Sequence, residues 1–152
     1  MTNLQFELCL RPATVQSDRD RLMIATLDKK GLRKLAKGKI ILTIEKPRDF
    51  VVIESELIDY LAQLKGVTDQ IAAGNYETFT VSGDYFSNNL RFTYEPSSKN
   101  LEIYEMNGGT FKIAFSYREF KSTLLTFYKQ ALCDLQAWYP ELSSNEEFRS
   151  ML

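Results

Sequence analysis

From Tyr76 to Trp138 the chain reads YETFTVSGDYFSNNLRFTYEPSSKNLEIYEMNGGTFKIAFSYREFKSTLLTFYKQALCDLQAW. Phe79 and Val81, then Leu90, Phe92 and Tyr94, then Leu101 and Ile103, then Phe111, Ile113 and Phe115 alternate with other residues. That is the period of a strand with one face buried. The alternation predicts strands at Glu77–Ser82, Leu90–Tyr94, Leu101–Met106 and Thr110–Phe115. The connections Gly83–Asn89, Pro96–Asn100 and Asn107-Gly108-Gly109 have turn composition and suit antiparallel neighbours. Ser116-Tyr117-Arg118-Glu119 has the form of a capping box, with Phe115 and Phe120 placed to close a hydrophobic staple. Phe120, Leu124, Phe127, Tyr128, Ala131, Leu135 and Trp138 then share one helical face until Pro140, an aromatic stripe expected to lie across the sheet.

Upstream, Leu4, Phe6, Leu8 and Leu10 alternate through Asn3–Leu10 and predict another half-buried strand. Arg11–Asp20 reads as a polar connection, Arg21–Leu27 as a less regular strand and Asp28–Gly31 as a turn. Leu32, Leu35 and Ala36 allow a turn or two of helix inside a lysine-rich block. Ile40-Ile41-Leu42-Thr43-Ile44 is a β-branched strand over Lys39–Glu45, ended by Pro47. Ile53, Leu57, Leu61, Leu64, Val67 and Ile71 recur at three- and four-residue steps and predict a helix of about five turns, stopped by Gly74-Asn75. Beyond Pro140 the stretch Glu141–Leu152 is polar and acidic and is expected to be loosely held. The expected fold is α+β: a mostly antiparallel sheet with a C-terminal four-strand meander, packed by two main helices in a single domain over residues 1–152.

Composition narrows the chemistry. The 152 residues are 44% hydrophobic and 26% charged, with a net charge of −1 and no histidine. The commonest general base and metal ligand is therefore missing, and no familiar serine or cysteine triad can be assembled. No G-x-G-x-x-G or P-loop pattern is present, and Gly108-Gly109 reads as a hairpin turn. Cys9 and Cys133 form no C-x-x-C pair and read as free thiols away from the apolar faces of their elements. Glu54, Glu56 and Asp59 read as the solvated acidic start of the first long helix. Glu102 and Glu105, three apart on one strand, point to opposite faces, which argues against a two-carboxylate site. No catalytic, metal or cofactor residue is assigned, and the chain is expected not to be an enzyme. With no apolar run long enough to span a bilayer and no secretory leader, it is expected in the cytoplasm.

Two surfaces remain as candidates. Lys29, Lys30, Arg33, Lys34, Lys37 and Lys39 place six positive charges in eleven residues with no acid among them. They could meet phosphates or an acidic protein surface, although no aromatic residues for base stacking are interleaved with them. By alternation, Arg91, Thr93, Glu102, Tyr104, Met106 and Lys112 face outward from the meander, and Tyr85 and Phe86 sit in the Gly83–Asn89 connection, where two aromatics either fold back as core or mark an interaction site. Arg and Tyr are typical interface anchors, so Tyr85, Phe86, Arg91, Glu102, Tyr104 and Lys112 form the candidate partner-binding set.

The order of elements resembles that of the small cytoplasmic immunity proteins of bacterial polymorphic-toxin systems. In those families an early strand region leads to a helix, a strand meander and a closing helix. The matching segments here are the Glu56-Leu57-Ile58-Asp59-Tyr60-Leu61 helix, the strands at Leu90–Tyr94, Leu101–Tyr104 and Thr110–Phe115, and the Phe120–Trp138 helix, so the resemblance covers about Lys39–Trp138. It carries no diagnostic motif and transfers no functional residue. It implies a non-catalytic inhibitor that binds a cognate toxin domain. The alternative is a nucleic-acid or anion-binding accessory module using the Lys29–Lys39 block.

Overall fold

A computed structural model describes residues 4–43, 50–83, 89–106 and 112–152. Tyr85, Phe86, Pro47, Gly108-Gly109 and Phe111 lie outside the described residues. The fold is α+β, and among the described residues seven antiparallel strands are divided between two sheets. The first sheet has the order β1-β2-β3, formed by β1 (Gln5–Cys9), β2 (Lys37–Thr43) and β3 (Phe50–Glu56). The second is a meander of β4 (Phe79–Val81), β5 (Leu90–Glu95), β6 (Asn100–Glu105) and β7 (Lys112–Ser116), paired in sequence order. Between the sheets in sequence runs α3 (Leu57–Ala72), and after them α4 (Tyr117–Trp138).

The pleat decides which side chains meet. In the first sheet Phe6, Leu42 and Val51 stand opposite one another, as do Leu8, Ile40 and Ile53, and these rows face the core. In the meander, Phe79, Phe92 and Ile103 share a row with Ile113, on the same inward face as Val81, Leu90, Leu101 and Phe115. Helix α4 closes both sheets. The Phe120 ring lies 5.6 Å from that of Phe92 in the meander and 6.4 Å from that of Phe6 in the first sheet. Phe127 stacks on Phe6 at 5.1 Å. Tyr117 donates a hydrogen bond to the Thr68 carbonyl at 3.2 Å, tying the start of α4 to α3. Gly74, with φ of 85°, supplies the left-handed step that ends α3, and its N–H returns to the Ile71 carbonyl.

Several sequence expectations give way. The Arg11–Asp20 segment is helical, as α1 (Pro12–Arg21), and Arg21–Leu27 is the end of that helix followed by a 3-10 turn at Ile24–Thr26. One helical turn, α2 (Lys29–Leu32), begins inside the expected Asp28–Gly31 turn because the Asp28 carboxylate accepts the Gly31 N–H at 2.7 Å. Ile53 belongs to β3, and the long helix starts only at Leu57. Glu54 and Glu56 therefore sit on a strand and at the helix cap, leaving Asp59 as the acid of the first turn. The capping box at Ser116 does not form: its side chain makes no cap hydrogen bond. Ser116 is still paired with Asn100 as the last residue of β7, and the Tyr117 N–H goes to the Lys99 carbonyl.

The stretch after Pro140 also departs from expectation. It forms a 3-10 turn at Pro140–Ser144 and α5 (Glu146–Arg149), with Leu142 and Phe148 fully buried. Asn145, 1% exposed, donates to the carbonyls of Ile24 and Leu27 at 2.8 and 2.9 Å and caps α5 by accepting the Phe148 N–H at 3.0 Å. Tyr139 donates to Asp18 at 2.7 Å in the buried region beneath α1. The end of the chain is thus part of the wall that holds α1 and α2 in place.

Candidate functional site

Because β4 to β7 pair without a bulge, the residues opposite the core rows are fixed in register. Thr80, Arg91, Tyr104 and Lys112 stand in one outward row, and Thr93, Glu102 and Ala114 in the next. Among the described residues no helix covers this face: Thr80, Arg91, Lys112 and Ala114 are exposed, and Thr93, Glu102 and Tyr104 are half-buried against their neighbours. The Arg91 guanidinium lies over the Tyr104 ring at 4.8 Å, a cation–π contact that orders two long side chains side by side. Lys112 reaches Glu102 across strands at 3.7 Å. Met106, 41% exposed, stands at the end of β6, its N–H bonded to the Asn89 carbonyl.

The structure thus brings Arg91, Glu102, Tyr104 and Lys112 onto one open face, as their alternation predicts. Glu105 points the other way and is 1% exposed on the inward side opposite Leu90, so the two strand glutamates do not meet.

The basic block is placed differently from its reading as an isolated patch. Lys29 and Lys30 lie on α2, Arg33 and Lys34 just after it, and Lys37 and Lys39 on β2. Antiparallel pairing with β3 sets Lys37 opposite Glu56 and Lys39 opposite Glu54. Lys39 meets Glu54 at 3.4 Å and Arg33 meets Asp59 at 3.5 Å. The acids expected to form a separate helix start are therefore the neighbours of the basic block. The signal that could have joined them was the β-branched run Val51-Val52-Ile53, which marks a strand able to pair with Ile40-Ile41-Leu42.

Among the described residues, Cys9 is half-buried and free on the outward row of the first sheet, and Cys133 is exposed and free on α4. No group of three or more Cys, Asp or Glu side chains there stands close enough to hold a metal ion. The strongest perturbations fall on tyrosines inside the fold. Burial raises the pKa of Tyr60, and burial reinforced by the hydrogen bond to Asp18 raises that of Tyr139. Neither residue lies on the open face. No described helix is long and apolar enough to cross a membrane. Compared with known proteins, the chain matches no family model, no curated protein and no solved structure.

Proposed function

We propose that this chain works by binding another protein through the outer face of the meander sheet, in the manner of an immunity protein that neutralises a cognate toxin domain in the cytoplasm. The observation that carries the reading is the Arg91–Tyr104 pair, an exposed guanidinium over a half-buried ring at the centre of a sheet whose other side is buried. Arg and Tyr dominate the energetics of protein interfaces. A guanidinium already laid on a ring loses less freedom on binding than a free one, so the pair is organised in advance. Glu102 is matched by Lys112, and Arg91 makes no ion pair among the described residues, so it can receive a carboxylate. The fitting partner is a folded domain that offers an acid beside an apolar patch for Tyr104 and Met106.

Size constrains the partner further. Four strands of three to six residues, about 4.8 Å apart, present on the order of 300 Å², against roughly 800 Å² per side for a stable complex. A tight binder must also engage the segments flanking the sheet, among them the β4–β5 connection, whose sequence includes Tyr85 and Phe86. Two free cysteines suit a reducing compartment.

The test is co-expression of the tagged chain with the products of the adjacent genes, followed by mass measurement of the purified complex in solution. A one-to-one complex that Arg91→Glu with Tyr104→Ala abolishes supports the reading. Absence of any partner, or a partner indifferent to both substitutions, refutes it. The nucleic-acid alternative is not favoured, because Glu54 and Asp59 pair with Lys39 and Arg33 and so reduce the positive potential of the block.

A further inference from the structure

Helix α1 changes the meaning of the basic block. It runs beside the block, so that three adjoining depressions of about 420, 500 and 780 Å³ share walls. The first and second share Thr14 and Lys37, and the second and third share Lys34 and Glu56, which makes them one continuous groove. Among the described residues its lining carries eight cationic side chains against four acidic ones. The extra cations come from α1 and its cap: Arg11 at one end and Arg21 in the middle.

The charges along the groove differ in whether they are paired. Glu54 and Asp59 engage Lys39 and Arg33, and Asp18 faces Arg21 at 3.6 Å. Arg11, Lys29, Lys30 and Lys34 are exposed and make no ion pair among the described residues. A ligand in the groove meets cations without a carboxylate partner and carboxylates already engaged by a cation.

We infer that this groove receives an extended acidic segment of a partner protein, a surface separate from the meander face and independent of the reading given for it. A nucleic acid carries a negative charge at every nucleotide and cannot avoid Glu54, Glu56 and Asp59 along the groove. Among the described residues no aromatic side chain lines the groove to stack a base. A polypeptide sets its charge residue by residue. It can place carboxylates over Arg11, Lys34, Lys30 and Lys29 and neutral or donor groups beside the acids, with the Thr14 and Ser17 hydroxyls available to its backbone.

The test is fluorescence anisotropy of a labelled twelve-residue peptide of alternating Glu and Gly against the full chain, with a twelve-nucleotide oligo-dT strand as the rival probe. Both are titrated at about 50 mM and about 500 mM salt. The peptide is expected to bind and to weaken about tenfold or more at the higher salt. Arg11→Glu and Lys34→Glu are each expected to weaken it about tenfold, while Arg91→Glu on the meander leaves it unchanged. Both groove residues are exposed, so a circular dichroism spectrum matching the parent separates lost binding from lost folding. No peptide binding, equal binding by the groove variants, or tighter binding of oligo-dT overturns the inference.

Discussion

The meander with α4 and the region around α1 and α2 are held by different kinds of contact. In the first, buried rows such as Leu90, Phe92, Leu101, Ile103 and Phe115 meet Phe120 and Leu124 of the helix that follows them directly. In the second, α1 buries only Val15 and Asp18, and its place is fixed by polar links to the chain's far end, Asp18 to Tyr139 and Asn145 to Ile24 and Leu27. Asp18 also accepts the Ala36 N–H at 3.4 Å. Ala36 is fully buried at φ of 61°, a conformation costly for a residue with a Cβ, and its carbonyl receives the Leu57 N–H. One region rests on apolar area, which tolerates small changes. The other adds to the buried Ile24, Leu32, Leu142 and Phe148 a few directional bonds, each of which leaves a buried group unsatisfied when broken.

The sharpest break of this contrast is Phe120→Ala. Because that ring touches both sheets, the substitution should cost about 3–5 kcal/mol in urea denaturation and loosen the whole fold together. Asn145→Ala comes next, at about 2–3 kcal/mol, since it strands one buried and one partly buried carbonyl and removes the α5 cap. Its signature is regional: amide exchange should rise in residues 12–36 and 139–152 and stay unchanged in the meander. Uniform acceleration would contradict the division.

Tyr139→Phe is expected to cost about 1–3 kcal/mol, by removing the donor from a buried carboxylate. It carries a pH signature as well. Burial and the Asp18 contact hold the Tyr139 pKa above its unfolded value near 10. Its contribution is therefore complete below about pH 10 and is lost as the pH rises toward the folded value. The phenylalanine variant should show a flatter alkaline limb in a melting-temperature profile. Tyr60→Phe should act in the opposite direction at neutral pH. The Tyr60 hydroxyl is buried with no hydrogen-bond partner among the described residues, so its removal should stabilise the chain by about 1 kcal/mol. The smallest effect is expected for Arg19→Gln. It breaks the 2.7 Å contact to Glu141 that joins α1 to the C-terminal segment, a surface pair whose loss should move the melting temperature by about one or two degrees. The hydrogen bond from Arg19 lowers the Glu141 pKa, so this small contribution should fade as the pH falls through that depressed value.

The same contrast explains what could be read from the chain alone. Leu90-Arg91-Phe92-Thr93-Tyr94 and its partners show in their alternation which side chains share a face, and the outward set Arg91, Glu102, Tyr104 and Lys112 follows from it without coordinates, while the strand order does not. Pro12–Arg21 carries no apolar stripe, because its burial falls on Val15 and on an aspartate. Nothing in its pattern distinguishes it from a loop. Strand β3 was masked because Ile53 lies four residues before Leu57 and so joins the helical series by spacing. The C-terminal segment did carry a signal: Tyr139, Leu142, Asn145 and Phe148 recur every third residue and are all buried. The asparagine in that row makes it look polar, although its side chain is fully bonded. The groove was invisible for a compound reason, since it needs α1 on one side and the β2–β3 pairing on the other.

Titration calorimetry of the purified chain against its co-purified partner shows whether another protein binds the outer meander face. Arg91→Glu is expected to weaken binding at least about thirtyfold, the scale of about 2 kcal/mol expected of an interface anchor, with folding unchanged by circular dichroism. A partner that binds this variant within about twofold of the parent would contradict it.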